Sequence, residues 1–160
     1  MELVKRTLQE VIEKRMFSGK AILLIGARQV GKSTLLEQVV KNRQEPVLRL
    51  NCDDPEVRTM LEAINTQELH LLIGQHRIVM IDEAQRVTNI GLTLKLITDG
   101  FPDVQLLVTG SSSFQLRDVV NEPLTGRKWE YNLFPLSTGE LLNDRGMVGV
   151  RQTLESRMVY

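Results

Sequence analysis

Apolar and polar residues follow one another along the chain in blocks, and the spacing within each block predicts either a strand or a helix. Short apolar or alternating runs predict strands at residues 21–25, 46–51, 78–81, 104–109 and 129–133. Apolar residues at helical spacing predict helices within residues 2–16, 33–41, 55–64, 90–97 and 152–160, with a short one after Pro135. The order of these elements indicates strands that alternate with helices.

Such alternation is typical of βαβ units with right-handed crossovers. We therefore predict an α/β fold, a three-layer sandwich around a mainly parallel five-stranded sheet. Uninterrupted apolar strands fit a sheet covered on both faces, and the less apolar strand at 46–51 is predicted nearer an edge. The 160 residues suit one domain. We divide it into a helix and lead-in (1–20), a core (21–150) and a truncated helix (151–160).

The first apolar run leads into a glycine-bounded loop with the Walker A pattern, followed by a helix. The loop residues are Gly26, Ala27, Arg28, Gln29, Val30, Gly31, Lys32, Ser33 and Thr34. Glycines permit a tight loop whose N–H groups face a phosphate, and the helix start adds donors and partial positive charge. Lys32 would reach the β- and γ-phosphates, and the Ser33 hydroxyl would bind Mg²⁺. Arg28 is expected to point to solvent, because the backbone makes the phosphate contacts.

A second chemical stretch follows the apolar run 78–81, where the adjacent carboxylates Asp82 and Glu83 stand at the predicted carboxyl edge of the sheet. Asp82 would hold Mg²⁺, and Glu83 would act as general base toward an attacking water. Fifty residues separate Lys32 from Asp82, which predicts an extra strand between their two strands in the sheet. A solvated strand end is the alternative for an Asp-Glu pair, but the preceding phosphate loop favours a site.

Other polar residues at predicted strand ends are weaker candidates. Thr109, with Ser111 in reserve, is a candidate for sensing the γ-phosphate or holding the lytic water, and a turn hydroxyl is the alternative. Asn51 is a candidate to hydrogen-bond Glu83, or else an ordinary turn residue. Arg127 lies before the last strand, where it either reaches a neighbouring subunit's γ-phosphate in a homo-oligomer or has a structural role.

Composition limits the cellular location and the binding partners that we expect for this chain. Lys plus Arg and Asp plus Glu both total 20. This balance gives nucleic acid and anionic membranes no overall field to bind, although a local basic face stays open. The N-terminus lacks a signal-peptide core and no apolar run is long enough for a membrane span, so a cytoplasmic location is expected. The single cysteine, Cys52, is interpreted as a packing residue. Arg6 is a candidate wall of the adenine pocket.

These stretches together resemble the AAA-type P-loop ATPase core of a bacterial and archaeal family of predicted ATP-binding proteins. In that family the core precedes a C-terminal domain of unknown function, which this chain lacks, so a fragment is expected. The resemblance implies ATP and Mg²⁺ binding at Gly26 to Thr34, Mg²⁺ at Ser33 and Asp82, and a catalytic role for Glu83. Nothing in the chain matches the helical lid and second sensor of better-known AAA proteins. The resemblance rests on residues 26–36, 80–85, 108–112, 124–127 and 134–137.

Three functions remain open at this point. The first is a Mg-dependent ATPase that cleaves the β–γ bond of ATP, releases ADP and couples hydrolysis to a C-terminal domain or an oligomer. The second is a nucleotide-dependent switch with negligible turnover, which would not need Glu83. The third is a helicase-like motor, because the sequence Asp82-Glu83-Ala84-Gln85 resembles the acidic box of helicases. It is disfavoured because 160 residues cannot hold a second ATPase-like lobe.

Overall fold

The computed structural model of the chain describes residues 4–111 and 114–141. Five strands form one sheet, in which every neighbouring pair is parallel. They are β1 (Ala21–Gly26), β2 (Val47–Asn51), β3 (Ile78–Asp82), β4 (Gln105–Ser111) and β5 (Lys128–Leu133). Their spatial order is β2-β3-β4-β1-β5. The predicted strand between the Walker A and acidic strands is therefore confirmed as β4, and β2 lies at an edge.

Six α-helices whose bounds both lie within the described ranges accompany the sheet. They are α1 (Thr7–Arg15), α2 (Lys32–Lys41), α3 (Pro55–Ala63), α4 (Thr66–Ile73), α5 (Ile90–Gly100) and α6 (Phe114–Asn121). A 3₁₀ turn covers Ala84–Arg86, and residues 138–141 are helical. None of the helices in the described ranges is both long enough and apolar enough to cross a membrane.

Helices cover both faces of the sheet, so the predicted three-layer architecture is confirmed. Ile22 and Leu24 of β1 face one layer, in which they pack with apolar residues of α1 and α2. Leu23 and Ile25 face the opposite layer, formed by α3, α4, α5 and α6. All six residues of β1 are buried, which explains why this strand has no polar side chain.

The helices α4 and α6 were not predicted. The start of α4 is a capping box, in which the Asn65 side chain accepts from the Glu68 N–H and Glu68 accepts from the Asn65 N–H. The spacing of Asn65 and Glu68 is therefore the sequence signal for the start of α4. By contrast, the predicted start of α3 is confirmed, because the Asp54 side chain accepts from the Glu56 N–H and Pro55 opens the helix.

Some predicted features fall outside the described ranges. They are residues 142–150 of the predicted core, the predicted helix at 152–160, and Ser112, which belongs to one of the stretches that carry the family resemblance. The predicted N-terminal helix over residues 2–16 begins later than expected, at Thr7.

Candidate functional site

The glycine-bounded loop leaves the carboxyl end of β1 under tight steric constraint. A Cβ on Gly26 would lie 2.5 Å from the carbonyl oxygen of Leu133 and 3.0 Å from Cγ1 of Val30. Only glycine therefore allows β5 and the loop to approach this closely. Gly31 has a φ of 95° and forms the N-cap of α2, a conformation that also favours glycine.

The start of α2 keeps the features of an anion site. Within the described part of the chain no side chain caps its N-terminus, and its first turn holds no acidic residue. Lys32 is 4% exposed. Its Nζ donates to the carbonyl oxygens of Gly26 at 3.0 Å and Ala27 at 2.8 Å. The ammonium group of Lys32 therefore lies against the start of the loop. Its positive charge adds to that of the helix N-terminus, which already favours an anionic ligand. Arg28 in the same loop is exposed, as predicted.

Hydrogen bonds to Asp82 connect the end of β3 with the start of α2 and with β4. The Ser33 hydroxyl donates to Oδ2 of Asp82 at 2.6 Å, and the hydroxyl of the buried Thr109 donates to Oδ1. A hydroxyl and a carboxylate in contact are oxygen ligands of the kind Mg²⁺ uses beside substrate phosphates. No cluster of three His, Cys, Asp or Glu exists in the described ranges, so an all-protein metal cage is not offered there. The donor set fits Mg²⁺ shared with a nucleotide.

Glu83 follows in a left-handed conformation, with a φ of 54°. Its N–H donates to the Thr109 hydroxyl at 3.0 Å. The carboxylate lies between two polar groups, with Oε1 3.9 Å from Nζ of Lys32 and Oε2 accepting from the Gln85 amide at 2.6 Å. Lys32, Ser33, Asp82, Glu83 and Thr109 are thus brought together at the carboxyl edge of the sheet, as the sequence predicts.

Of the two interpretations of Asn51, the hydrogen bond to Glu83 is not formed in the structure. Oδ1 of Asn51 accepts from the N–H of Asp53 at 2.9 Å, two residues away, so the side chain stabilises the turn after β2. The alternative interpretation of Asn51 as a turn residue is the one that the structure supports.

Gln85 was not predicted as a site residue. Its amide nitrogen donates to Glu83, and its amide oxygen accepts from the N–H of Ser111 at 3.3 Å. The side chain therefore links Glu83 to the end of β4. A Cβ on Gly110 would lie 2.1 Å from Cδ2 of Leu116 and 3.2 Å from this amide oxygen, so a larger residue there would require the neighbouring side chains to move. The signal in the sequence was the stretch Asp82-Glu83-Ala84-Gln85, which places Gln85 two residues after Glu83.

Arg127 is not brought to the phosphate loop. It precedes β5, and its carbonyl oxygen accepts from the N–H of Ala21 at the amino end of β1. Its guanidinium forms an exposed ion pair with Asp99. The phosphate loop lies at the carboxyl ends of the strands, whereas Arg127 lies at their amino ends. Arg127 therefore takes no part in the site of its own chain. Its predicted role in a neighbouring subunit stays a prediction.

Arg6 was predicted as a wall of the adenine pocket, but its guanidinium contacts other parts of the protein. Its nitrogens donate to the Val30 and Phe134 carbonyl oxygens and to the Glu140 carboxylate. All three guanidinium nitrogens thus have hydrogen-bond acceptors within the protein. The structure gives no support for a base-binding role.

Comparison with known proteins gives a consistent result. A family model described as an AAA domain matches residues 18–142. An uncharacterized protein of Mycobacterium tuberculosis, Rv2008c, is 28% identical over 128 residues. That match covers 79% of this chain but 28% of the relative. The chain therefore spans less than a third of the length of this curated relative.

Two solved structures share the fold. The Walker-type ATPase PABY2304 of Pyrococcus abyssi superposes with a TM-score of 0.61 at 20% identity, over 93% of this chain and 59% of that chain. The RuvB Holliday junction branch migration motor of Thermotoga maritima gives a TM-score of 0.56 at 17% identity, over 88% of this chain and 49% of that chain. At these identities the likeness concerns the fold, which is that of an AAA-type P-loop ATPase.

Proposed function

The chain belongs to the AAA domain family, and from this premise we propose that it binds Mg-ATP and hydrolyses the bond between the β- and γ-phosphates. One observation carries the proposal. The Walker A residues Lys32 and Ser33 meet the acidic residues Asp82 and Glu83 at one sheet edge, through an ion pair of 3.9 Å and a hydrogen bond of 2.6 Å. In P-loop NTPases, groups of this kind bind the nucleotide phosphates and promote hydrolysis of the terminal phosphate bond.

Binding depends on the loop from Gly26 to Thr34. Its backbone N–H groups and the start of α2 would hold the phosphate oxygens. The Lys32 ammonium would leave the carbonyl oxygens of Gly26 and Ala27 for the β- and γ-phosphates. Ser33 and Asp82 would hold Mg²⁺, which neutralises charge on the phosphate oxygens when it is bound.

Hydrolysis depends on Glu83. Its carboxylate would take a proton from water as the water oxygen attacks the γ-phosphorus. The bond between the γ-phosphorus and the bridging oxygen then breaks, and ADP and inorganic phosphate leave. We assign Thr109 the role of a positioning residue, because its hydroxyl contacts both the Asp82 carboxylate and the Glu83 N–H.

A finer part of the proposal concerns what ATP hydrolysis is coupled to. Since the curated relative is more than three times as long as the matched segment, we propose that hydrolysis is coupled to a C-terminal domain or to an oligomer. This coupling rests on the length comparison alone.

A nucleotide-dependent switch is the second candidate, and one contact favours it. Gln85 donates to the Glu83 carboxylate at 2.6 Å and so occupies an oxygen that a general base needs. If this contact persists with nucleotide bound, the chain would hold ATP and turn it over slowly.

Phosphate release from Mg-ATP by the wild type and by Glu83→Gln tests the proposal. We expect the variant to bind ATP normally and to release phosphate about 10²- to 10⁴-fold more slowly, because the amide cannot accept the proton. Glu122→Gln, which changes an exposed glutamate, serves as the control and keeps the wild-type rate.

The two candidate functions predict different results. Equal turnover by the wild type and Glu83→Gln would remove the base assigned here. ATP binding by both with turnover by neither would favour the switch.

A further inference from the structure

Arg6 is a charged residue buried outside the nucleotide machinery, with 8% of its surface exposed. Its three guanidinium nitrogens bond to three different parts of the chain. Nε donates to Glu140 at 3.1 Å, Nη1 donates to the Val30 carbonyl oxygen at 3.2 Å, and Nη2 donates to the Phe134 carbonyl oxygen. A charged side chain of this kind costs free energy to bury, and hydrogen bonds from each of its three nitrogens offset part of that cost.

Glu140 completes the arrangement and is equally buried, at 8% exposed. Besides Arg6 it accepts from the Thr7 N–H at 3.0 Å, the Ser137 N–H at 2.9 Å and the Ser137 hydroxyl at 3.1 Å. Burial raises the pKa of Glu140, but these N–H donors and Arg6 outweigh it and lower the pKa to about 2. The carboxylate is therefore charged at neutral pH.

The bond to Val30 concerns the phosphate loop directly. The Val30 carbonyl belongs to the same planar peptide as the Gly31 N–H, so fixing the direction of one fixes the direction of the other. Gly31 lies in the left-handed region, with a φ of 95°, where the backbone rotates with little steric restraint. A donor that holds the Val30 carbonyl therefore also fixes the direction of the Gly31 N–H, which belongs to the phosphate loop.

We propose that Arg6 and Glu140 are positioning residues that lock the Val30–Gly31 peptide for phosphate binding and tie it to the segment following β5. Phe134 and Glu140 both belong to that segment, so a displacement of it would pull on Arg6 and release the Val30 carbonyl. The inference rests on the proposed function, since it presumes that the loop binds phosphates.

Lysine cannot replace arginine in this role. A single ammonium cannot reach three acceptors that a planar guanidinium meets with separate nitrogens. Arg6→Lys therefore keeps the charge and loses the geometry. Glu140→Gln keeps the shape and loses the charge, which makes it the milder variant should Arg6→Lys fold poorly.

The experiment measures the affinity of the chain for ATP and for inorganic tripolyphosphate by calorimetry, with folding of each variant checked by circular dichroism. Arg6→Lys is expected to weaken both ligands by roughly tenfold or more, because both use the loop. Glu140→Gln is expected to weaken both by a smaller factor. The double variant should lose no more than Arg6→Lys alone, because the two residues act as one unit.

Lys5→Ala is the matched control. Lys5 is the neighbouring basic residue and pairs with Glu10 at 2.7 Å, but that pair is exposed. Its loss should leave both affinities unchanged, whereas a general effect of N-terminal charge would lower them.

The remaining outcomes overturn the inference in distinguishable ways. Wild-type affinity in both Arg6→Lys and Glu140→Gln would refute it and leave the proposed function intact. Loss of ATP affinity with unchanged tripolyphosphate affinity would make Arg6 a contact for the nucleoside instead. Absence of tripolyphosphate and ATP binding in the wild type would overturn both this inference and the proposed function.

Discussion

Two basic side chains of the phosphate loop lie in opposite surroundings at the scale of single residues. Lys32 is buried and bonded to two loop carbonyl oxygens, whereas Arg28 is exposed. The contrast arises from position, because Lys32 starts α2 and Arg28 lies at the outer turn of the loop. Lys32 should therefore attract an anionic ligand more strongly than Arg28 does, since a buried charge interacts more strongly than a solvated one.

Cys52 illustrates how surroundings decide the chemistry of one residue. The thiol is fully buried at the end of β2. Burial and the nearby Asp82 carboxylate raise the pKa of Cys52 to about 12. Because the thiolate is the reactive form, the folded chain should resist thiol reagents.

We expect Ellman's reagent to leave Cys52 unmodified in the folded chain at about pH 8 and to react rapidly after unfolding in guanidinium. A rise to about pH 10 should speed the reaction only in the unfolded chain, since the folded pKa is higher still. Free glutathione provides the reference rate. Native reactivity near that reference would show that the thiol is accessible and would contradict the packing role.

At the scale of elements, prediction from sequence worked where one local pattern decides the structure. The apolar runs gave all five strands, and the cap and proline at Asp54-Pro55 gave the start of α3. Contacts between elements distant in sequence were harder. The bonds of Arg6 span from 24 to 134 residues along the chain, and no spacing rule indicates them. The contact between Gln85 and Glu83 depends on the left-handed conformation of Glu83, which no pattern in the sequence predicts.

Glycines in α5 give a matched test of helix packing. A Cβ on Gly91 would lie 2.2 Å from the Val119 carbonyl oxygen of α6, whereas a Cβ on Gly100 meets nothing within 4 Å. We expect Gly91→Ala to lower the free energy of unfolding by about 1–3 kcal/mol, since α6 must shift. Gly100→Ala should leave it unchanged or raise it by up to about 1 kcal/mol, through helix propensity.

Urea denaturation of both variants beside the wild type measures these free energies. A comparable effect of the two substitutions would show that α5 and α6 do not pack as closely as the structure has them.

At the scale of the whole molecule, the order of the strands creates the site. Because all five strands are parallel, their carboxyl ends meet at one edge, and this edge collects the phosphate loop after β1, the acids after β3 and Thr109 of β4. The strand β4 lies between the other two and supplies the hydroxyl that contacts both Asp82 and Glu83. Residues far apart in sequence therefore form one site through topology alone.

The measurement that tests the central claim most directly is calorimetric titration of Mg-ATP into the wild type, Lys32→Ala and Arg28→Ala. Lys32→Ala should weaken binding by about 1.5–3 kcal/mol, because it removes a charge-assisted contact to phosphate. Arg28→Ala, which removes an exposed charge from the same loop, should stay within about 0.5 kcal/mol of the wild type. Unchanged ATP affinity in a folded Lys32→Ala variant would contradict the assignment of this loop as the nucleotide site.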